Sequence, residues 1–73
     1  MKEYVVEDLQ TKRLTDTINA PDIVTALRKV HDEVSQFGKE TAMSKETDKI
    51  GFVVIRLPYS VGYMYRVTEV DSI

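Results

Sequence analysis

The sequence predicts an α+β domain in which one amphipathic helix packs on a mainly antiparallel sheet of about four strands, in the order β-β-α-β-β. Three observations lead to this fold class. A segment near the middle of the chain repeats apolar residues at helical spacing, and a pair of segments rich in β-branched and aromatic residues lies on each side of it. The 73 residues, 42% hydrophobic and 30% charged, also suit a single folded domain spanning residues 1–73.

The first pair of strands is predicted within the first eighteen residues. Residues 4–9 open with aromatic and β-branched side chains, and residues 14–18 alternate apolar and polar side chains with a period of two. The register of this hairpin stays open. An even pairing stacks Tyr4 on Ile18, whereas a slip of one residue turns Val5 inward instead.

The predicted helix begins within residues 19–22 and ends at Gly38. Proline and aspartate suit a first helical turn, because the missing N–H of proline costs nothing there and an acid favours the positive end of the helix dipole. Apolar residues then recur at spacings of three and four, which places one stripe against the sheet: Ile23, Leu27, Val30, Val34 and Phe37. Glycine commonly follows the last turn of a helix.

Residues 39–49 are polar apart from Ala42 and Met43. The segment lacks both the helical and the strand period, and we expect a mobile polar loop there.

The second pair of strands is predicted over residues 51–57 and 63–70, with a turn between them. Aligning Leu57 with Tyr63 places Leu57, Ile55 and Val53 on one face, opposite Tyr63, Tyr65 and Val67. A slip by one residue would bury Arg66 among them. The unslipped register is therefore predicted.

The residue types offer little for catalysis or for metal and cofactor binding. The chain has no cysteine, which removes disulfides, thiolate metal sites and cysteine nucleophiles. The single histidine, His31, is expected at the border of the helix stripe, without a second ligand on its own face. The three glycines are too far apart to form a phosphate-binding loop. We expect no enzyme activity, no metal and no cofactor.

The location of the chain is predicted from its apolar runs. The longest of them, residues 50–55, is far shorter than the roughly 20 residues of a membrane-spanning helix. Acidic residues appear by the seventh position, which does not suit a secretory signal peptide. We expect a cytoplasmic chain without a membrane segment.

A candidate partner-binding surface follows from the second hairpin. In the predicted register, the face turned away from the helix carries apolar side chains and two arginines but no acid. Contiguous apolar area and these residue types are typical of interfaces. Together with two turn residues, they form the predicted partner-binding set: Phe52, Val54, Arg56, Tyr59, Val61, Met64 and Arg66. Alternatively, the polar loop or residues 71–73 fold over Val54 as a second layer.

Three functional classes compete for this surface. A homodimer through the face, or through the edge of the last strand, would enlarge a core that is small in a 73-residue chain. Single-stranded nucleic acid could stack on Phe52 and contact Arg56 and Arg66, but a net charge of −2 lacks the usual basic patch. The third class is a small protein that docks on a larger one and modulates it.

The sequence favours the third class: a non-enzymatic protein-interaction module, acting as a modulator or inhibitor of a host or cognate protein, and a homodimer. The short cysteine-free chain with two hairpins around one helix resembles many small proteins of phages and mobile elements, which implies such an origin. Single-stranded nucleic-acid binding is the alternative function.

Overall fold

A computed structural model describes residues 1–37, 40–57 and 60–70, without the side chains of residues 37, 57, 60 and 61. Its elements are β1 (Lys2–Asp8), β2 (Arg13–Ala20), α1 (Ile23–Val34), a 3₁₀ turn (Ser35–Phe37), β3 (Glu40–Lys45), β4 (Ile50–Leu57) and β5 (Ser60–Glu69). The strands form one antiparallel sheet in the order β2-β1-β5-β4-β3. The predicted α+β fold is confirmed, with five strands in place of four.

The start of α1 is fixed by an aspartate cap. The Asp22 carboxylate accepts a hydrogen bond of 2.8 Å from the backbone amide of Thr25, so the helix begins at Ile23. This hydrogen bond lowers the pKa of the Asp22 carboxyl group. The predicted start is confirmed to within a few residues, although Pro21 precedes the cap instead of lying in the first turn.

The core lies between α1 and one face of the sheet, here called the inner face. It consists of fully or almost fully buried apolar side chains from α1 and from every strand except β3: Tyr4, Val6, Ala20, Ile23, Ala26, Leu27, Val30, Val53, Ile55 and Val67. The predicted helix stripe is confirmed at Ile23, Leu27 and Val30, while Val34 is half-buried. The Phe37 side chain and Gly38 lie outside the described residues.

The first hairpin adopts the even register at its open end and a bulge near its turn. Tyr4 pairs with Ile18, but the register shifts between Val6 and Glu7. The shift sets Leu14 opposite Glu7, on the face away from α1, where Leu14 is 68% exposed. One extra residue in β2 therefore removes an apolar side chain from the core.

The second hairpin keeps the predicted faces but not the predicted register. Ile55 pairs with Tyr63 and Val53 with Tyr65, so the alignment of Leu57 with Tyr63 is wrong by two residues. The strands extend further than predicted and leave only residues 58–59 between them. A shift of two residues preserves the side of the sheet on which each side chain lies.

The prediction of a polar loop over residues 39–49 is wrong at residues 40–45, which form strand β3 (Glu40–Lys45). All six residues of β3 pair with β4, and the His31 ring of α1 hydrogen-bonds the Thr41 hydroxyl. Only Thr41 is half-buried, so the strand has no apolar period for sequence inspection to detect. Lys39 lies outside the described residues, and the predicted mobility of the segment stays a prediction.

Within the described part of the chain, no helix combines the length and the apolarity needed to span a membrane.

Candidate interaction surface on the outer sheet face

The outer sheet face is the side of the sheet opposite α1. Directly paired residues of antiparallel strands share a face, so the pairs Phe52 with Arg66, Val54 with Met64 and Val54 with Ala42 place these side chains side by side. Phe52 and Val54 are half-buried, Met64 is 41% exposed and Ala42 is exposed. The centre of the face is therefore an apolar cluster that solvent reaches.

No helix or strand among the described residues forms a second layer on the outer sheet face. The alternative, cover of this face by the polar loop, is wrong for residues 40–45, because they extend the sheet at its edge. The tail, residues 71–73, lies outside the described residues.

Arg66 is paired on the same face. Its guanidinium donates a hydrogen bond to the Glu7 carboxylate, and the two side chains are 44% and 23% exposed. The sequence prediction of a face without acids is wrong here, because β1 lies beside β5 and sets Glu7 opposite Arg66.

Arg56 has an acidic neighbour too, on β3. Its guanidinium lies 3.7 Å from the Glu40 carboxylate, and both side chains are largely exposed. A shallow groove of about 540 Å³ opens beside this pair, lined by Glu40, Thr41, Ala42, Val54 and Arg56. The face thus has an ion pair on each side of its apolar centre.

The predicted site residues are only partly brought together. Phe52, Val54, Met64 and Arg66 lie in adjacent pairs, and Arg56 lies towards the β3 edge. Tyr59 falls outside the described residues. Val61 lies in β5, but its side chain is not described.

Sequence reasoning missed the contributions of β1 and β3 to this face. Val5 pairs with Thr68 and Glu7 with Arg66, both on the outer side of the sheet. The alternation of Tyr4 and Val6 with Val5 and Glu7 carried this signal, since inward Tyr4 turns Val5 and Glu7 outward. That alternation does not show which strand pairs with β1 on the side opposite β2.

The dimer edge suggested by the sequence is not available. The last strand, β5, pairs with β1 on one side and with β4 on the other. Among the described strands, β2 and β3 are the outermost two of the sheet.

His31 takes part in packing between α1 and β3. Its side chain is 28% exposed; Nε2 hydrogen-bonds the Thr41 hydroxyl, and Nδ1 lies 3.6 Å from the Asp32 carboxylate. Over residues 1–37, 40–57 and 60–70, the acidic and histidine side chains form no group of three or more that could hold a metal ion.

Comparisons of this chain with protein-family models, with curated proteins and with solved structures find no match.

Proposed function

We propose that this chain is a non-enzymatic protein-interaction module that docks on a larger protein through the outer sheet face and modulates that protein. The observation that supports this function is the layout of the face. Phe52, Val54 and Met64 form a partly exposed apolar centre, and the ion pairs of Arg66 and Arg56 lie to its sides. An apolar centre with a polar rim is the usual anatomy of a protein interface.

The charges of the outer sheet face favour a protein partner over nucleic acid. Glu7 and Glu40 neutralise the two arginines on which the nucleic-acid alternative depends. Phosphate contacts supply most of the affinity of nucleic-acid binding, and paired arginines would first have to leave their acids. A protein surface can cover the same face while both ion pairs stay intact.

We also propose that the chain is a homodimer. Among the described residues the core holds ten buried apolar side chains, of which four are valines and two are alanines, and this is little for a chain without disulfides. Association is then the remaining way to enlarge the buried apolar surface.

Site-specific photocrosslinking in the source cell tests docking through the outer sheet face. The photoreactive analogue p-benzoylphenylalanine replaces Phe52, and the control places it at Arg28, an exposed position of α1. Two further substitutions form a matched pair: Met64→Lys on the outer sheet face and Met43→Lys on β3. Met64 is 41% exposed and Met43 is 42% exposed, so the two substitutions remove similar amounts of buried side-chain surface.

We expect position 52 to yield an adduct with a protein other than this chain, and position 28 to yield none. Met64→Lys should reduce the adduct about tenfold or more, whereas Met43→Lys should leave it unchanged. An equal adduct from position 28, or one that survives Met64→Lys, would overturn the proposal. An adduct removed by nuclease would establish the nucleic-acid alternative instead.

A further inference from the structure

Strand β3 is anchored to the core more weakly than the other outermost strand of the sheet, β2. Of the six described residues of β3, Thr41 is half-buried and the other five are exposed. On β2, by contrast, Ala20 is fully buried and Ile18 packs against the core. The buried core cluster draws its described members from α1, β1, β2, β4 and β5, so it keeps all of them when β3 is taken away.

Backbone pairing with β4 and one side-chain contact with α1 hold β3 in place. The pairing covers every residue of β3, from Glu40 with Arg56 to Lys45 with Gly51. The contact is the hydrogen bond between the Thr41 hydroxyl and the His31 ring. A segment with few buried apolar contacts and exposed hydrogen bonds opens at a lower free-energy cost than the whole fold. Opening also returns conformational entropy to the released residues.

We propose that β3 opens from β4 as a unit while the rest of the fold stays intact, and that its docked position completes the docking surface. Opening withdraws Glu40 and Ala42 from the outer sheet face. The groove beside Val54 then loses one wall, and Arg56 loses its acidic neighbour. A partner that contacts both walls binds the docked state and holds β3 in place. This role in docking rests on the proposed function, whereas the opening itself does not.

The amides of β4 that donate to β3 follow from the turn between the two strands. The amide of Glu46 donates to the carbonyl of Ile50 at 3.1 Å, which makes these residues a hydrogen-bonded pair. Hydrogen-bonded pairs recur at every second residue of an antiparallel ladder. In the β3–β4 register, Phe52 and Val54 therefore donate their amides to β3.

The amides of β4 that donate to β5 alternate with these. The amide of Glu69 donates to the carbonyl of Lys49 at 2.8 Å, in register with the β4–β5 ladder. By the same rule, Val53 and Ile55 donate their amides to β5. Neighbouring amides of one strand thus depend on different strands. The amides that donate to β3 are released when β3 opens, whereas those that donate to β5 are released only when the centre of the sheet separates.

Hydrogen exchange of these four amides of β4, measured by NMR over a series of low urea concentrations, tests the opening. We expect the protection factors of the Phe52 and Val54 amides to be about tenfold or more below those of Val53 and Ile55. Urea should reduce the protection of the first pair only slightly, because the opening exposes little surface. It should reduce the protection of the second pair steeply, because global unfolding exposes the core.

Two substitutions separate the opening of β3 from unfolding of the whole chain. Val6→Ala weakens the core on β1, which β5 and β4 separate from β3. It should lower the protection of the amides that donate to β5 about tenfold or more, and leave those that donate to β3 unchanged, because the open state keeps the same core. Thr41→Val removes the hydroxyl that meets His31 and destabilises the docked state alone. It should therefore lower the protection of all four amides by one common factor of about two to ten.

Equal protection and equal urea dependence at all four amides, with Val6→Ala lowering both pairs alike, would overturn the proposal, because β3 would then leave only when the whole fold unfolds. The purified chain alone is measured, so that result leaves the docking proposal standing. Crosslinking from position 52 tests docking separately, and its failure would remove the role of β3 in docking while the exchange data still decide whether β3 opens.

Discussion

The helix packs directly on the sheet at Gly51, and adding one carbon atom there should destabilise the fold. Gly51 is buried in β4 beneath Leu27 of α1. A Cβ atom at position 51 would lie 2.5 Å and 2.8 Å from the two Cδ atoms of Leu27, and 3.0 Å from its Cγ. Carbon atoms pack at roughly 3.5–4.0 Å, so the Cβ atom added by Gly51→Ala would lie about 1 Å too close to the nearest Cδ atom of Leu27.

Leu27 has little room to yield, since it is only 2% exposed and packs within the core. Overpacking of this kind costs about 1–3 kcal/mol. In a Leu27→Ala background the three crowding atoms are gone, and alanine is then favoured over glycine in a strand by about 0.5–1 kcal/mol. The two substitutions should therefore couple by about 1–3 kcal/mol, with the double variant more stable than additivity predicts.

Urea unfolding followed by circular dichroism measures this coupling for the parent, the two single variants and the double variant. Leu27→Ala alone costs about 2–5 kcal/mol, so all four proteins are measured in the same concentration of trimethylamine N-oxide to keep them folded at the start. If Gly51→Ala costs the same free energy in both backgrounds, Leu27 does not pack on Gly51 and the placement of α1 is wrong.

Four further predictions follow from the core, the helix cap and the turn before β4. Val30→Asp buries an unpaired charge in the core, costing several kcal/mol, and should abolish the cooperative thermal transition. Tyr4→Phe removes a buried hydroxyl that has no hydrogen-bond partner among the described residues, and should keep or raise the unfolding free energy, by up to about 1–3 kcal/mol. Folding lowers the pKa of Asp22, so the ionised carboxylate stabilises the fold fully above the pKa of the unfolded chain, and this stabilisation is lost as the pH falls through the folded pKa. Asp22→Asn lacks this titration, so its melting temperature should fall less below about pH 4 than that of the parent. Limited trypsin digestion should cut first after Lys49, and an earlier cut within α1 would contradict the described fold.

Local periodicity predicted the helix well because the signal lies within one element. Ile23, Leu27 and Val30 recur at the spacing that one face of a helix requires, and all three are buried. Strands β1, β2, β4 and β5 were found for the same reason, from residues close together in the chain. Ala26 was missed because a small side chain in the stripe gives a weak hydrophobic signal.

Strand β3 could not be predicted because its own side chains carry no apolar period. Most of its side chains are exposed, so the ladder with β4 and the contact of His31 with Thr41 hold it in place. The acids that pair with Arg56 and Arg66 were missed for a related reason. Glu7 reaches Arg66 only because β1 lies beside β5, and Glu40 reaches Arg56 only because residues 40–45 form a strand that pairs with β4.

The central claim is that the outer sheet face binds protein through its apolar centre. The most direct measurement is the affinity of the purified crosslinked partner for the parent, for Met64→Lys and for Met43→Lys, at low and at physiological salt. We expect Met64→Lys to weaken binding about tenfold or more, Met43→Lys to leave it unchanged, and the parent affinity to change little with salt. An affinity that Met64→Lys leaves unchanged or strengthens, and that falls steeply with salt, would contradict the claim.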